Sequence, residues 1–521
     1  MSNLLDALAR AARYLARPFV SLYRWLIATR RKRTSPSAVQ QPQPAVDLPL
    51  DEYGRALISY SGTGTVNWED GSAKTLAFNA AQFPDGRIVV LGHYRNDDAF
   101  SWFGGGVDPE PVSFCGITSE GWTLTNEGNA RSTNYLPKMT IEGSYAALRL
   151  NQLECSRTTV AAVTDHRFGL VNFDFEGIVG VTIERPGGTH YTRGLPVTLA
   201  VGNRAINGTI VAVEDANHLH RRVMTHKSAE VLAELVVPKT DGIEGADLVG
   251  AVNDLGVALS VMRGTKVVWI YRHDYSGKHI VHTTHRSSIV KAYSPWAPLR
   301  GDHEHRAATA AFVQHAAAAL SMSPVLRTDR SVVDAYLDAK VEHDFLETRA
   351  GKLALAIEKL KHAFLRAGVA PVSENVVPDA AFRPLAAEIV GAIRPILEKA
   401  GIDATKASSI ASDGKIRGLN RSAFRGILKA LCRYAALTVP PDEIELFILC
   451  RDYLVHTGQF YCQGGTAEEW AKHPPAASQL EEFCFMVSFL DRVFLKLFGY
   501  SGEYFDWRDF PHDQKMTRTL P

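Results

Sequence analysis

FILCRDYLVHTG, residues 447–458, decides how the second half of this chain is read. Phe447, Cys450 and Leu454 recur at helical spacing and mark a buried seam. PPDE at 440–443 offers a proline and acids suited to a first turn, and Thr457-Gly458 offers a stop. The last two turns nevertheless carry Arg451, Asp452 and His456. Burying such groups without partners costs several kcal/mol, so the helix needs a reason to hold them. Arg451 and His456 are five residues apart, about 140° around an ideal helix, and are not neighbours on one face. They point into one cleft if the helix packs against a second copy of itself and His456 lies in a fraying last turn, where the helix dipole favours positive charge.

Working outward, helical stretches are expected at 305–321, 331–367, 379–400, 420–437, 441–457 and 478–498. The last opens with a capping box, Ser478-x-x-Glu481, and stops at Gly499. Residues 301–521 therefore form an all-α bundle.

Between about Arg55 and residue 300 the texture is different. Short β-type runs alternate with turn dipeptides: Asp70-Gly71, Asp85-Gly86, Glu120-Gly121, and Asn207-Gly208 between LAVGNRAI and TIVAV. This is a large, mostly antiparallel β-rich region, with one helical patch around Ala246–Val261. GTGT (62–65) and FGGG (103–106) lack the lysine and the strand-to-helix context of a phosphate loop and are read as turns. His279, His282 and His285 in HIVHTTH step by three, which on a strand puts neighbours on opposite faces, so one cation could hardly collect all three. No metal and no cofactor is expected. His303 and His305 stand at the junction of the two regions.

Residues 1–34 form a basic amphipathic segment. Leu4, Leu8, Leu15, Phe19, Leu22 and Leu26 share one sector of a helical wheel, with Arg10, Arg13, Arg17 and Arg24 opposite. It holds no run of 18 uncharged apolar residues, and arginines interrupt any signal-like core. A membrane surface suits it as well as docking on its own protein or on a partner, and an organellar transit peptide is a third reading. Residues 35–54 follow as a Pro/Gln/Ser linker. The segment carries eight Lys/Arg and one Asp, a net +7; with +1 for the whole chain, the other 487 residues sum to −6. Nucleic-acid contact by the body must therefore be local. Six cysteines without a CxxC pair point to reduced thiols and a cytoplasmic setting, peripheral to a membrane if the first helix binds one.

Arg-x4-His occurs four times, at 185–190, 221–226, 300–305 and 451–456, and only the last sits on an apolar helix within a bundle. LCRDYLVHTG resembles the signature of HEPN domains. With LFGYSGEYFDW (497–507) after it and a β-rich region before it, the chain resembles the ApeA-like anti-phage family. The resemblance is most specific over 420–507 and weakest over 55–300. The family often has Asn where this chain has Asp452.

That resemblance implies an α+β multidomain chain in which a β-rich sensor or recognition region (55–300) precedes an all-α HEPN domain (301–521). It implies a metal-independent endoribonuclease active as a homodimer, acting on RNA such as tRNA or mRNA and released by a phage-derived trigger in abortive infection. Arg451 would hold the scissile phosphate, His456 would move the proton, and Asp452 would pair with Arg451 or orient His456. The alternative is a non-catalytic HEPN dimerisation or nucleotide-binding module, recruited to a membrane or partner by its first helix. In that case Arg451–Asp452 is a structural ion pair and His456 a capping residue.

Overall fold

The structure is a computed structural model. It describes residues 55–521 except 69–70, 72, 95–110, 132–137, 141–142, 158–161, 186, 227, 291–292, 301 and 511–516. The basic segment 1–34, the linker, Asp70 and FGGG at 103–106 lie outside the described residues. The described chain is mixed α/β, with antiparallel sheet in its N-terminal half and helices in its C-terminal half. It forms two compact units, one of residues up to Thr159 together with Thr284–Ser287, the other of Val160–Thr283 with Ser288–Pro521. The change of texture near residue 300 is thus a boundary of secondary structure, and packing divides the chain elsewhere.

In the first unit lie β1 (Ile58–Trp68), β2 (Ala73–Gln82), β3 (Ile88–Tyr94), β4 (Pro111–Thr118), β5 (Thr123–Arg131), β6 (Lys138–Thr140), β7 (Gly143–Leu150) and β8 (Gln152–Ser156). Their order is β8-β5-β4-β1-β2-β3-β7-β6, antiparallel throughout. Gly86 (φ 81°) and Gly121 (φ 80°) turn the chain where Asp85-Gly86 and Glu120-Gly121 were expected to. GTGT is not a turn. It runs through the middle of β1, where a Cβ on Gly62 would meet the Ile117 carbonyl oxygen at 2.1 Å, so glycine there serves close strand approach. His285 belongs to this unit and is buried between Tyr60 Oη (2.9 Å from Nε2) and Gln82 Oε1 (2.6 Å from Nδ1).

The second unit opens with β9 (Asp165–Val171), β10 (Val179–Arg185), β11 (Gly188–Val201), β12 (Arg204–Ala212), α1 (Ala216–His226), β13 (Val231–Pro238), α2 (Gly245–Arg263), β14 (Val268–Ser276) and the start of β15 (His279–Arg286). Strands here follow the order β10-β11-β12-β13-β9-β14-β15. The turn expected at Asn207-Gly208 lies five residues earlier. Gly202 (φ 57°) and Asn203 connect β11 to β12, whereas Asn207 and Gly208 face Thr198 and Val197 within the ladder. Both dipeptides suit a tight hairpin, but a Cβ on Gly208 would come within 3.1 Å of the Val236 carbonyl, so that glycine relieves crowding in the sheet. Helix α1 was hidden in the β texture. Helix α2 is long and apolar enough to cross a membrane by length and composition, and it packs instead against core residues of its own unit.

Among the described residues twelve α-helices follow: α3 (Arg306–Met322), α4 (Pro324–Thr328), α5 (Ser331–Ala339), α6 (Leu346–Ala367), α7 (Asp379–Lys399), α8 (Ala404–Ile410), α9 (Asp413–Gly418), α10 (Phe424–Tyr434), α11 (Pro441–Thr457), α12 (Tyr461–Gly464), α13 (Ala467–Lys472) and α14 (Gln479–Leu497). After them in the chain, strands β16 (Glu503–Phe505) and β17 (Thr517–Thr519) pair antiparallel. The stretch 331–367 is two helices. The break falls after Lys340, whose side chain turns into the core to pair with Asp491 of α14 (Nζ–Oδ1 2.6 Å). Helix α14 is buried on nearly every side, from Glu482 to Leu497, which marks it as the centre of the helical packing. Ser478 Oγ accepts from the Glu481 N–H (3.2 Å), but the Glu481 carboxylate takes the N–H of Ala477 (3.1 Å), so only half of the expected box forms.

Candidate functional site

Helix α11 is placed by its apolar side. Pro441 opens it, Asp442 and Glu443 occupy its first turn, and Gly458 (φ 73°) ends it, donating its N–H to the Leu454 carbonyl at 3.2 Å. Ile444, Phe447, Ile448, Cys450 and Leu454 are buried, and Phe447 stacks on Phe489 of α14 with ring centroids 4.1 Å apart. Burial pushes the Cys450 thiol well above its ordinary range, so this sulfur packs and is no nucleophile. With the seam fixed in this way, Arg451 is carried to the edge of the core and its side chain is only 14% exposed.

Three helices hold the Arg451 guanidinium. One terminal nitrogen donates to Glu358 of α6, and the other donates to Asp452, its neighbour in sequence. Its central carbon stands 4.9 Å from the centroid of Phe424, the first residue of α10. Lys361, one turn on from Glu358, places Nζ 2.5 Å from the second Glu358 oxygen and 5.8 Å from the same ring. Arg451 Nε is buried and has no hydrogen-bond partner among the described residues. Of the five donors on a guanidinium, three are left over from these two ion pairs.

His456 sits in the last turn, exposed, with no side-chain hydrogen bond among the described residues. The turn is braced from behind: Tyr453 donates to Glu469 (2.7 Å), which completes a capping box with Thr466 at the start of α13. That hydrogen bond raises the Tyr453 phenol above its ordinary range. The structure thus gives the three sequence-selected residues unequal settings. Arg451 and Asp452 are joined directly, and His456 stands apart on the surface.

Glu358, Lys361 and Phe424 were not singled out from the sequence. They belong to ordinary amphipathic patterns, and Glu358 lies 93 positions before Arg451, too far for any local rule to link them. The other three Arg-x4-His spacings fall in the β10–β11 hairpin, in α1 and in the segment before α3. The HIVHTTH histidines have separate partners: His282 Nδ1 lies 3.4 Å from Asp274, and His285 is held by Tyr60 and Gln82. His305 pairs with Asp302 (2.7 Å), and His303 lies 3.1 Å from an Arg306 nitrogen. All six cysteines are free.

No protein-family model matches the chain, and neither a curated protein nor a solved structure matches it.

Proposed function

We propose that the chain is a HEPN-type endoribonuclease that cuts RNA by attack of the substrate's own 2′-hydroxyl. The observation that supports it is a guanidinium fixed at the core's edge whose two terminal nitrogens each keep one N–H beyond their ion pairs, on the same helix as an exposed, unengaged imidazole. The 2′-oxygen forms a bond to phosphorus, the bond to the 5′-oxygen breaks, and a 2′,3′-cyclic phosphate and a 5′-hydroxyl result. A His456 imidazole takes the 2′ proton, and a protonated His456 gives one to the departing oxygen. Two imidazoles in opposite states are supplied by two protomers, which is why the active form is a homodimer. Arg451 balances charge gathering on the phosphate oxygens. Asp452 and Glu358 hold Arg451 and do not touch the reacting atoms. The β-rich half is assigned the recognition of a phage-derived trigger or of the RNA, and residues 1–34 a peripheral membrane or partner contact.

A second reading has one specific observation in its favour. Both terminal nitrogens of Arg451 already bond to carboxylates, as a purely structural ion-pair cluster would have them. The chain would then be a non-catalytic HEPN dimerisation or nucleotide-binding module. Cleavage of RNA by the purified chain in excess EDTA, with end-group analysis, separates the readings. The nuclease leaves cyclic phosphate, spares RNA that is 2′-deoxy at the cut, and is abolished by His456→Ala. No cleavage by the wild-type chain, activated or not, favours the module.

A further inference from the structure

From Lys415 to Pro441 the chain carries six Lys/Arg and no Asp or Glu. Within that stretch Arg421, Arg425, Lys429 and Arg433 recur at intervals of four residues. On a helix this spacing gives a slowly winding row with about 6 Å of rise per step. Helix α10 realises it for Arg425, Lys429 and Arg433, while Arg421 precedes its first turn. Its apolar side, Ile427, Leu428, Leu431 and Cys432, is buried in the core, while Arg425 (side chain 59% exposed) and Lys429 (42%) face outward, as does Arg433. Among the described residues one carboxylate answers them: Glu445 of α11 lies 2.5 Å from Arg425 and 3.7 Å from Lys429. Among the described residues Arg433 donates one hydrogen bond, 3.4 Å, to the Lys429 carbonyl. The row therefore keeps a surplus of positive charge on a chain whose body is net negative.

Its position matters as much as its charge. The row starts beside Phe424, the ring over which the Arg451 guanidinium lies. Helices α10 and α11 are joined by a short connection, Ala435–Pro440, so the row leads away from Arg451 toward that connection. From Arg451 the opposite direction along α11 leads to His456, about 7.5 Å of helix rise further on. We propose that the exposed face of α10 is a track for the phosphates of single-stranded RNA, leading the strand to Arg451. A polyanion matches the surplus charge. A bilayer does not, because a membrane-binding face needs apolar side chains beside its cations, and those of α10 are buried. The direction toward Arg451 rests on the nuclease reading; the binding itself does not.

The test uses the full chain carrying His456→Ala, so that RNA survives the measurement. Binding of a fluorescently labelled single-stranded RNA 20-mer is followed by anisotropy at several KCl concentrations, with and without Arg425→Gln, Lys429→Gln and Arg433→Gln together. The triple substitution should weaken binding at least tenfold and flatten the log Kd against log salt slope by about 2, since each single-strand phosphate contact contributes about 0.7. Arg425→Lys with Arg433→Lys should retain both affinity and slope, which separates charge from folding. Equal affinity and slope for the triple variant overturn the track. So does a variant that loses only binding to vesicles of anionic phospholipid, which would make the face a membrane contact. The nuclease reading fails separately. If the wild-type chain binds RNA through this face but never cuts it, the track stands and the nuclease falls. If cutting persists with KM unchanged in the triple variant, the reverse holds.

Discussion

Glu358 of α6 accepts a hydrogen bond from Arg451 of α11 while its second oxygen receives Lys361, so this carboxylate ties the arginine to a second helix. Glu358→Gln removes the charge and keeps the shape. A positioning role predicts a fall in kcat of about 10-fold or more, in line with the loss of one charge-assisted bond of about 1.5–3 kcal/mol, with KM much less affected. Arg451→Lys should not restore activity to any variant, since an ammonium cannot reach two carboxylates and a phosphate at once. Steady-state kinetics on one RNA substrate would decide, and an unchanged kcat for Glu358→Gln would remove Glu358 from the site.

A shared site makes a stricter demand. Arg451→Ala and His456→Ala are each expected to be inactive, yet heterodimers formed by mixing the two chains contain one intact arginine and one intact histidine. With one imidazole for two proton transfers, mixing should restore little activity, and recovery of a large fraction would mean that a single histidine serves both steps. Sedimentation should show dimers in all three samples. A monomeric wild-type chain that cuts at full rate would contradict the composite site.

Lys340 and Asp491 are both fully buried, 2.6 Å apart, with Tyr336 donating to the same Asp491 oxygen. Desolvation drives the carboxyl up and the ammonium down, and the attraction between them opposes both shifts. Asp491→Ala leaves a buried cation and a phenol without their acceptor and should cost about 3–5 kcal/mol in urea unfolding. Lys340→Met with Asp491→Leu should recover most of that loss. A cost below about 1 kcal/mol for the single change would mean that water reaches the pair.

Acid should destabilise the second unit through His273. Burial pushes its imidazole from the ordinary 6.5 down to about 3, and its Nδ1 lies 2.9 Å from Thr283 Oγ1. The folded ring is neutral where the unfolded ring gains a proton. Its contribution is therefore complete above pH 6.5 and declines as pH falls from there toward 3, by up to about 1.4 kcal/mol per pH unit. Asp274 beside it acts with the same sign, its carboxylate held well below its usual range although burial alone would raise it, by His166, His282 and Arg272. Urea midpoints between pH 7 and 4 should drop more steeply for wild type than for His273→Gln. Parallel slopes would clear His273 of the effect.

The α11 segment was legible because everything that shapes it is local. Proline and acids at its start, glycine at its end and an apolar seam at 447, 450 and 454 are short-range signals. Its chemistry was legible only as types. That Arg451 is engaged by Glu358, and leans on Phe424, depends on how α6 and α10 pack, which no periodicity records. The β-rich half was legible as texture and misread in detail where glycine had two meanings. At Gly86 and Gly121 it permits a positive φ; at Gly62 and Gly208 it makes room for a neighbouring strand. The break after Lys340 was invisible because a lysine in a helical run gives no sign that it will be buried against an aspartate 151 residues away.

The return of Thr284–Ser287 to the first unit gives the gene an unusual constraint. A unit encoded as one uninterrupted stretch can be exchanged, duplicated or replaced by a single crossover on each side. This one cannot. A recombination that imported only the codons up to Thr159 would bring Tyr60 and Gln82 without the His285 that bonds both. Diversification of the first unit is thereby tied to a short segment more than a hundred codons downstream, and surviving exchanges should carry both pieces together.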